Sequence, residues 1–285
     1  MDAAADARLA GEDGKFAHLS SLLRSMGSLV VAYSGGVDST LLVKAARDAL
    51  DGGGARLLAV TARSSTYPTD ELAAAVATAR MIGAPHLVIE SEELDVPGFS
   101  DNPPDRCYFC KGELFGILTK MAAEGGYAAV CDGANADDLR DHRPGRRAAK
   151  ELGVRSPLVE VGMDKEDVRF HAKRLGLPNW DKPAAACLAS RFPYGTKITV
   201  EKLRRVEQAE NILKAAGFKQ LRVRDHDGVA RVELSHAELA RFVGRPEVEK
   251  WVAQFKELGF NYVTADLEGY RSGSLNIFVK KEDGP

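Results

Sequence analysis

One stretch fixes the local geometry of this chain more tightly than any other. Ser34-Gly35-Gly36-Val37-Asp38-Ser39-Thr40 lies between the apolar run Leu29-Val30-Val31-Ala32-Tyr33 and the helix-patterned Leu41-Leu42-Val43-Lys44-Ala45-Ala46. The first run reads as a buried strand and the second as a helix, so the chain must pass from strand to helix through two adjacent glycines. Glycines let the backbone approach an anion closely, and the first-turn N–H groups of a helix have no partner within it, so such a turn is built to hold phosphate. Ser34, Ser39 and Thr40 add hydroxyl donors, and Asp38 suits the Mg²⁺ that accompanies a nucleotide. The spacing is neither GxxxxGK[ST] nor GxGxxG. A bare Ser-Gly-Gly would read as an ordinary capped turn; the whole heptapeptide between strand and helix reads as a phosphate loop.

The loop resembles the SGGxDS signature of the PP-loop ATP pyrophosphatases. That resemblance implies cleavage of ATP between its α and β phosphates, with AMP placed on a carboxylate or carbonyl oxygen and pyrophosphate held by the loop. A nitrogen or sulfur nucleophile then replaces the activated oxygen.

The first two-thirds of the chain alternates strand and helix, which predicts an α/β fold with a doubly wound parallel sheet. Strands are expected at 28–33, 56–62, 86–90 and 128–132, and a helix over 69–82 that Thr69 caps and Asp70 and Glu71 favour at its positive end. Ligands of such sheets sit beyond the carboxyl ends of the strands. Those ends carry Ser34, the segment with Thr61 and Arg63, and Asp132-Gly133-Ala134-Asn135-Ala136-Asp137-Asp138. By analogy with the PP-loop group, Thr61 and Arg63 border the adenine and ribose. Asp137 and Asp138 are open to two readings, carboxylates for Mg²⁺ or the acceptor, and solvated helix caps.

Near Pro193-Tyr194-Gly195 the character changes, dividing a domain of 1–195 from a smaller α+β domain of 196–285. The second should hold a helix over 200–216, a hairpin through Asp227-Gly228, a helix over 246–258, and strands at 261–266 and 275–279. Strand alternation places Arg222 and Arg224 on one face beside Arg231 and Glu233, with Leu221, Val223, Val232 and Leu234 on the other. Three guanidinium groups suit a carboxylate or phosphate, and a solvated face with Arg231 and Glu233 in ion pairs is the alternative.

A chain of 285 residues, 45% hydrophobic and 28% charged, can bury a sizeable core in one large or two modest domains. The formal net charge of −2 gives no basic footprint for nucleic acid. With neither a signal-peptide pattern nor an apolar run of about 20 residues, the expectation is a cytoplasmic chain without a membrane span. Cys107, Cys110, Cys131 and Cys187 then read as thiols or metal ligands rather than disulfides. Only Cys107 and Cys110 form a CxxC pair, so a four-cysteine zinc site is weakly supported. Three cysteines suffice for a [4Fe–4S] cluster with one open iron, and Cys131, in an apolar strand-like run, reads as a core residue.

Taken in order, SGGVDST, RCYFCK from Arg106, DGANADDLRDHRPG from Asp132, ACLASR around Cys187, the Arg222/Arg224 strand and GYRSGSLN from Gly269 resemble the LarE-type ATP-dependent sulfur transferases. The likeness spans nearly the whole chain. It implies a PP-loop, adenine nucleotide alpha hydrolase-like fold, and ATP and Mg²⁺ as cofactors. It further implies a small-molecule nucleotide acceptor, pyridinium-3,5-biscarboxylic acid mononucleotide, with no nucleic-acid or membrane partner, and a homo-oligomer. Cys187 takes the sulfur-donor position. In one form of the family this cysteine gives up its own sulfur and becomes dehydroalanine. In the other, three cysteines hold a [4Fe–4S] cluster carrying an extra sulfide, and Cys107, Cys110 and Cys187 would be its ligands. Arg191 either favours the Cys187 thiolate or is structural. A PP-loop tRNA thiolase and an ammonia-dependent ligase of the NAD synthetase kind share the loop and stand as alternatives.

Overall fold

The structure is a computed structural model that describes residues 3–51, 56–139, 144–183 and 186–271. The expected strand at 275–279 lies outside these residues. Two compact units emerge, one of Met1–Ser64, Thr69–Glu92 and Cys107–Ala185, the other of Ser65–Pro68, Glu93–Arg106 and Ala186–Pro285. The sequence-based boundary at 195/196 is thus replaced by an interleaved division in which the second unit takes two earlier excursions of the chain.

The first unit runs α1 (Ala3–Met26), β1 (Ser28–Ala32), α2 (Val37–Ala49), β2 (Arg56–Arg63), α3 (Thr69–Met81), β3 (His86–Glu90), α4 (Arg106–Gly125), β4 (Ala129–Cys131), α5 (Gly145–Glu151), α6 (Pro157–Glu160) and α7 (Lys165–Arg174). Its sheet has the order β3-β2-β1-β4, every pair parallel, with Leu29 level with Leu57 on one side and Ala129 on the other. Because side chains alternate along a strand, β1 feeds two cores. Leu29 and Val31 pack with Leu41 and Leu42 of α2 and Val168 of α7, while Val30 and Ala32 pack with Phe115, Leu118 and Ala122 of α4. Apolar residues at every position of β1 after Ser28 are therefore what a centre strand covered on both faces requires.

The second unit holds α8 (Val200–Ala215), β5 (Leu221–His226), β6 (Val229–Leu234), α9 (His236–Val243), α10 (Val248–Glu257) and β7 (Tyr262–Ala265). β5 and β6 form the expected hairpin, turned by Asp227 and Gly228, both at positive φ. β7 adds parallel to β6. Phe218, Phe242 and Trp251 stack edge and face beneath α9 and α10, a cluster completed by the short α9, which sequence patterning did not reveal.

The strand order makes β1 the switch point, since the chain leaves it for β2 on one side and β4 lies on the other. The loop after β1 opens there. Gly35 has φ +65°, and a Cβ on it would lie 2.7 Å from the Ala75 Cβ on α3. Gly35→Ala should therefore lower stability by more than the backbone penalty of about 1–2 kcal/mol, read as a shift of the urea midpoint. Adding Ala75→Gly should recover the steric part alone.

Candidate active site

The helix after the loop begins without a side-chain cap. Gly36 occupies the N-cap of α2 and no side chain accepts from its first turn, which leaves those N–H groups and the positive helix end facing outward. The loop is laced from within. Ser39 Oγ donates to the Gly36 carbonyl at 3.2 Å and lies 3.2 Å from Ser34 Oγ, while the Ser34 N–H donates to it at 3.3 Å. Thr40 is fully buried, and its hydroxyl turns inward to Tyr33 Oη at 3.4 Å. The end of β4 presses close behind: a Cβ on Gly133 would stand 2.8 Å from the Ser39 nitrogen.

Asp38, in the first turn of α2, is half-buried and held from two sides. Asn135 Nδ2 donates to Oδ1 at 3.0 Å, and Lys165 Nζ, at the start of α7, meets Oδ2 at 2.5 Å. Asp38 is thus the carboxylate of this group that could be shared with Mg²⁺, an ion that takes one or two protein carboxylates together with substrate phosphates. Asp137 and Asp138 serve local caps: Asp137 Oδ2 accepts from the Lys165 N–H at 3.0 Å and Asp138 Oδ2 from the Asn135 N–H at 3.1 Å. Thr61 is buried, donating to the Tyr33 carbonyl at 2.7 Å and meeting His86 Nε2 at 2.8 Å. Arg63 is exposed and pairs with Glu90 on the neighbouring strand. Of the expected residues of this unit, the loop and Asp38 come together, whereas the Thr61 hydroxyl and the Arg63 guanidinium are taken up by partners within the sheet. Asn135, Lys165 and Asn179 went unrecognised in the sequence, although the Asp164/Asp167 capping box does mark the start of α7 beside Lys165.

Within the second unit, Cys187 opens a short 3₁₀ turn over Leu188–Arg191. Arg191 is buried and donates through Nη1 to the carbonyls of Ala186 at 2.7 Å and Cys187 at 3.0 Å. Its other nitrogens fork onto Glu210 of α8, both at 2.8 Å. Burial alone would weaken this cation's hold on its proton, but the Glu210 carboxylate outweighs that and raises its pKa. Arg191 therefore grips the backbone on either side of the Cys187 side chain. Arg224 reaches the same turn, donating to the Ser190 carbonyl at 2.6 Å while forking onto Glu233 at 2.6 and 2.9 Å.

The arginine face is accordingly part-buried, with Arg224 and Glu233 buried and Arg222 and Arg231 half-buried. Glu233 has no exposed surface and accepts from Arg231 as well, at 3.0 Å. Arg222 lies half-buried beneath Tyr270, with its guanidinium 5.2 Å from the ring. Desolvation lowers its pKa, and the Arg191 charge nearby adds to this. Arg191, Arg222, Arg224 and Arg231 thus gather around Glu210 and Glu233, beside Cys187.

The four cysteines carry no disulfide. Cys107 and Cys110 lie one turn apart at the start of α4 in the first unit, a spacing that brings two thiols to one face of a helix, and Cys187 belongs to the second. Thiolates are the ligands that an iron–sulfur cluster takes, so Cys107, Cys110 and Cys187 are the side chains whose chemistry fits one. Within each unit, no three His, Cys, Asp or Glu side chains among the described residues are grouped to hold a metal ion. Cys131 is a core residue: burial pushes its thiol up to about 12. No helix among the described residues is long and apolar enough to cross a membrane.

No family model matches the chain. Individual relatives do. Over 94% of its length the chain is 40% identical to the pyridinium-3,5-bisthiocarboxylic acid mononucleotide synthase of Lactiplantibacillus plantarum, covering 95% of that protein. It is 47% identical to an uncharacterized protein of Synechocystis sp. over 94% of its length, covering 99% of that relative. With an uncharacterized protein of Methanocaldococcus jannaschii the identity is 32%, over 86% of this chain and 91% of the other. The chain belongs to the LarE-type family of PP-loop sulfur transferases.

Glu233 sets the electrostatics of the second unit. Removing it takes from buried Arg224 the carboxylate onto which it forks, while Arg231 keeps Asp266 at 3.5 Å, so Glu233→Ala should cost about 3–5 kcal/mol in a denaturation experiment.

Proposed function

We propose that the chain uses ATP to activate a carboxylate of pyridinium-3,5-biscarboxylic acid mononucleotide and replaces the activated oxygen with sulfur, in the biosynthesis of the nickel-pincer nucleotide cofactor. The observation that carries this reading is the uncapped N-terminus of α2 behind Gly35 and Gly36, with Asp38 held beside it by Asn135 and Lys165. In the first step an acceptor carboxylate oxygen attacks the α-phosphorus, and the bond to the β-phosphate oxygen breaks. Pyrophosphate leaves onto the loop, where the first-turn N–H groups, the hydroxyls of Ser34 and Ser39 and the helix dipole receive its charge. Bound Mg²⁺ would supply charge neutralisation for the departing oxygens from Asp38. Lys165, released from Asp38, turns its ammonium to the same phosphates.

In the second step a sulfur nucleophile attacks the acyl carbon and AMP leaves. Cys187 is either the sulfur donor itself or one ligand of the cluster that carries the donated sulfide. Arg222, with Arg224 and Arg231 behind it, offers the positive field for the acidic acceptor, and Arg191 keeps the Cys187 turn in place through the flanking carbonyls. The Cys107/Cys110 pair favours the cluster form, in which a [4Fe–4S] group held by Cys107, Cys110 and Cys187 supplies an extra sulfide. In the sacrificial form the Cys187 thiolate displaces AMP to form an acyl thioester, and β-elimination then gives up the Cα proton and breaks the Cβ–S bond, releasing the thiocarboxylate and leaving dehydroalanine. The acceptor is small and the chain's formal net charge is −2, which sets this reading apart from a tRNA thiolase. An ammonia-dependent ligase would not require Cys187.

Turnover should release AMP and pyrophosphate, and Asp38→Ala should slow it about 10²–10³-fold while leaving the melting temperature near that of the parent. Release of ADP and phosphate would exclude the assignment. For the sulfur source, protein purified without oxygen should contain about four irons per chain and lose them on single replacement of Cys107, Cys110 or Cys187, but not of Cys131. An iron-free protein that transfers one sulfur and then weighs about 34 Da less at Cys187 would identify the sacrificial form instead.

A further inference from the structure

After α7 the chain crosses the phosphate loop as a short strap, Gly176-Leu177-Pro178-Asn179-Trp180-Asp181-Lys182. Two side chains pin the strap. Lys182 Nζ meets Glu71 of α3 at 2.6 Å, and Asn179, only 8% exposed, reaches into the loop itself. The Asn179 amide nitrogen donates to the Gly35 carbonyl at 2.9 Å and to Thr40 Oγ1 at 2.9 Å. The roles are fixed by chemistry. A backbone carbonyl can only accept, and the Thr40 hydroxyl already directs its proton to Tyr33, so one NH₂ group with two hydrogens serves both.

We infer that Asn179 is a positioning residue for the phosphate loop, holding the Gly35 carbonyl inward so that the following N–H is presented to the anion. In a trans peptide the C=O and the next N–H point in opposite directions. With the Gly35 carbonyl turned into the protein, the Gly36 N–H faces the other way, to the half-exposed side where it meets the exposed Ser34 hydroxyl at 3.4 Å. Gly35, at φ +65°, has the freedom to let this peptide plane rotate. Packing against Ala75 confines its Cα but not its carbonyl, and the Asn179 amide supplies the missing restraint. The strap thereby sets the donor geometry of the loop without touching the ligand.

This inference rests on the loop being the site for the pyrophosphate part of ATP. Two variants separate donor geometry from side-chain volume. Asn179→Ala removes both donors, and Asn179→Asp keeps the shape but sets a carboxylate against the Gly35 carbonyl. The KM for Mg·ATP should rise about tenfold in the first, the worth of two hydrogen bonds, and further in the second, with the KM for the acceptor nucleotide unchanged. Calorimetry with inorganic pyrophosphate should show the same loss without any turnover, so the test survives even if the parent protein makes no AMP, an outcome that would reject the proposed function alone. A fall in kcat that tracks a lowered melting temperature at unchanged ATP KM would make Asn179 merely structural and overturn the inference. So would an Asn179→Asp protein that binds pyrophosphate like the parent, or a parent that does not bind pyrophosphate at all. If neither variant folds, Thr40→Val, which withdraws one of the two acceptors from Asn179 at nearly constant volume, decides. A several-fold weaker binding of pyrophosphate is expected, and unchanged binding would overturn it.

Discussion

The parallel pairing of β1 between β2 and β4 is the constraint on which the first unit depends. A strand hydrogen-bonded on both edges and packed on both faces has no freedom left, so its carboxyl end delivers the chain to one place in one direction. Everything at the phosphate loop follows from that delivery. Gly35 turns the chain over Ala75, Gly133 lets the end of β4 approach the first turn of α2, and Asp38 arrives in that first turn, within reach of Asn135 and Lys165. Two glycines separated by almost a hundred residues are needed because two backbones come close to a helix, the end of β1 to Ala75 of α3 and the end of β4 to Ser39 of α2.

In the second unit the ordering force is electrostatic. Four arginines around two buried carboxylates would be costly if any guanidinium lacked a partner, and here the planar forks of Arg191 and Arg224 each take a whole carboxylate. Both also spend a nitrogen on backbone carbonyls of the Cys187 turn. The turn that begins at Cys187 is thereby tied to α8 and β5 by charge-assisted bonds, alongside the apolar packing of buried Leu188 and Ala189.

Much of this was legible from the sequence because the signals were local. The four strands of the first unit each carry a short apolar run, and each appears within a residue or two of its expected bounds. The Asp227-Gly228 turn and the alternation of Arg222, Arg224, Arg231 and Glu233 also read directly. The phosphate loop was visible because its functional residues are contiguous. The partners that hold it were not: Asn135, Lys165 and Asn179 lie 97, 127 and 144 positions from the residues they bind, and a lone Asn or Lys in a loop carries no periodicity. Alternation assigned the arginines to one face but gave no sign of its burial, since the Ser190 carbonyl that covers Arg224 comes from 34 residues away. α9 escaped because eight residues span little more than two helical turns, too few to establish a period.

The interleaving of the two units has a consequence for how the molecule could ever be divided. The second unit owns 65–68 and 93–106, both of which fall within the first unit's stretch of chain. Those excursions are built into it: the Leu188 N–H bonds the Thr66 carbonyl at 2.8 Å, Asn102 Nδ2 reaches the Pro193 carbonyl at 2.7 Å, and the Ile198 N–H bonds the Ser100 carbonyl at 2.8 Å. A fragment cut at Ala186 would lack the segments that satisfy its own backbone, and the remaining piece would carry two stray loops with no place to pack. The unit bearing Cys187 therefore cannot be exchanged or grafted by any single cut, and the chain keeps or loses both units as one piece.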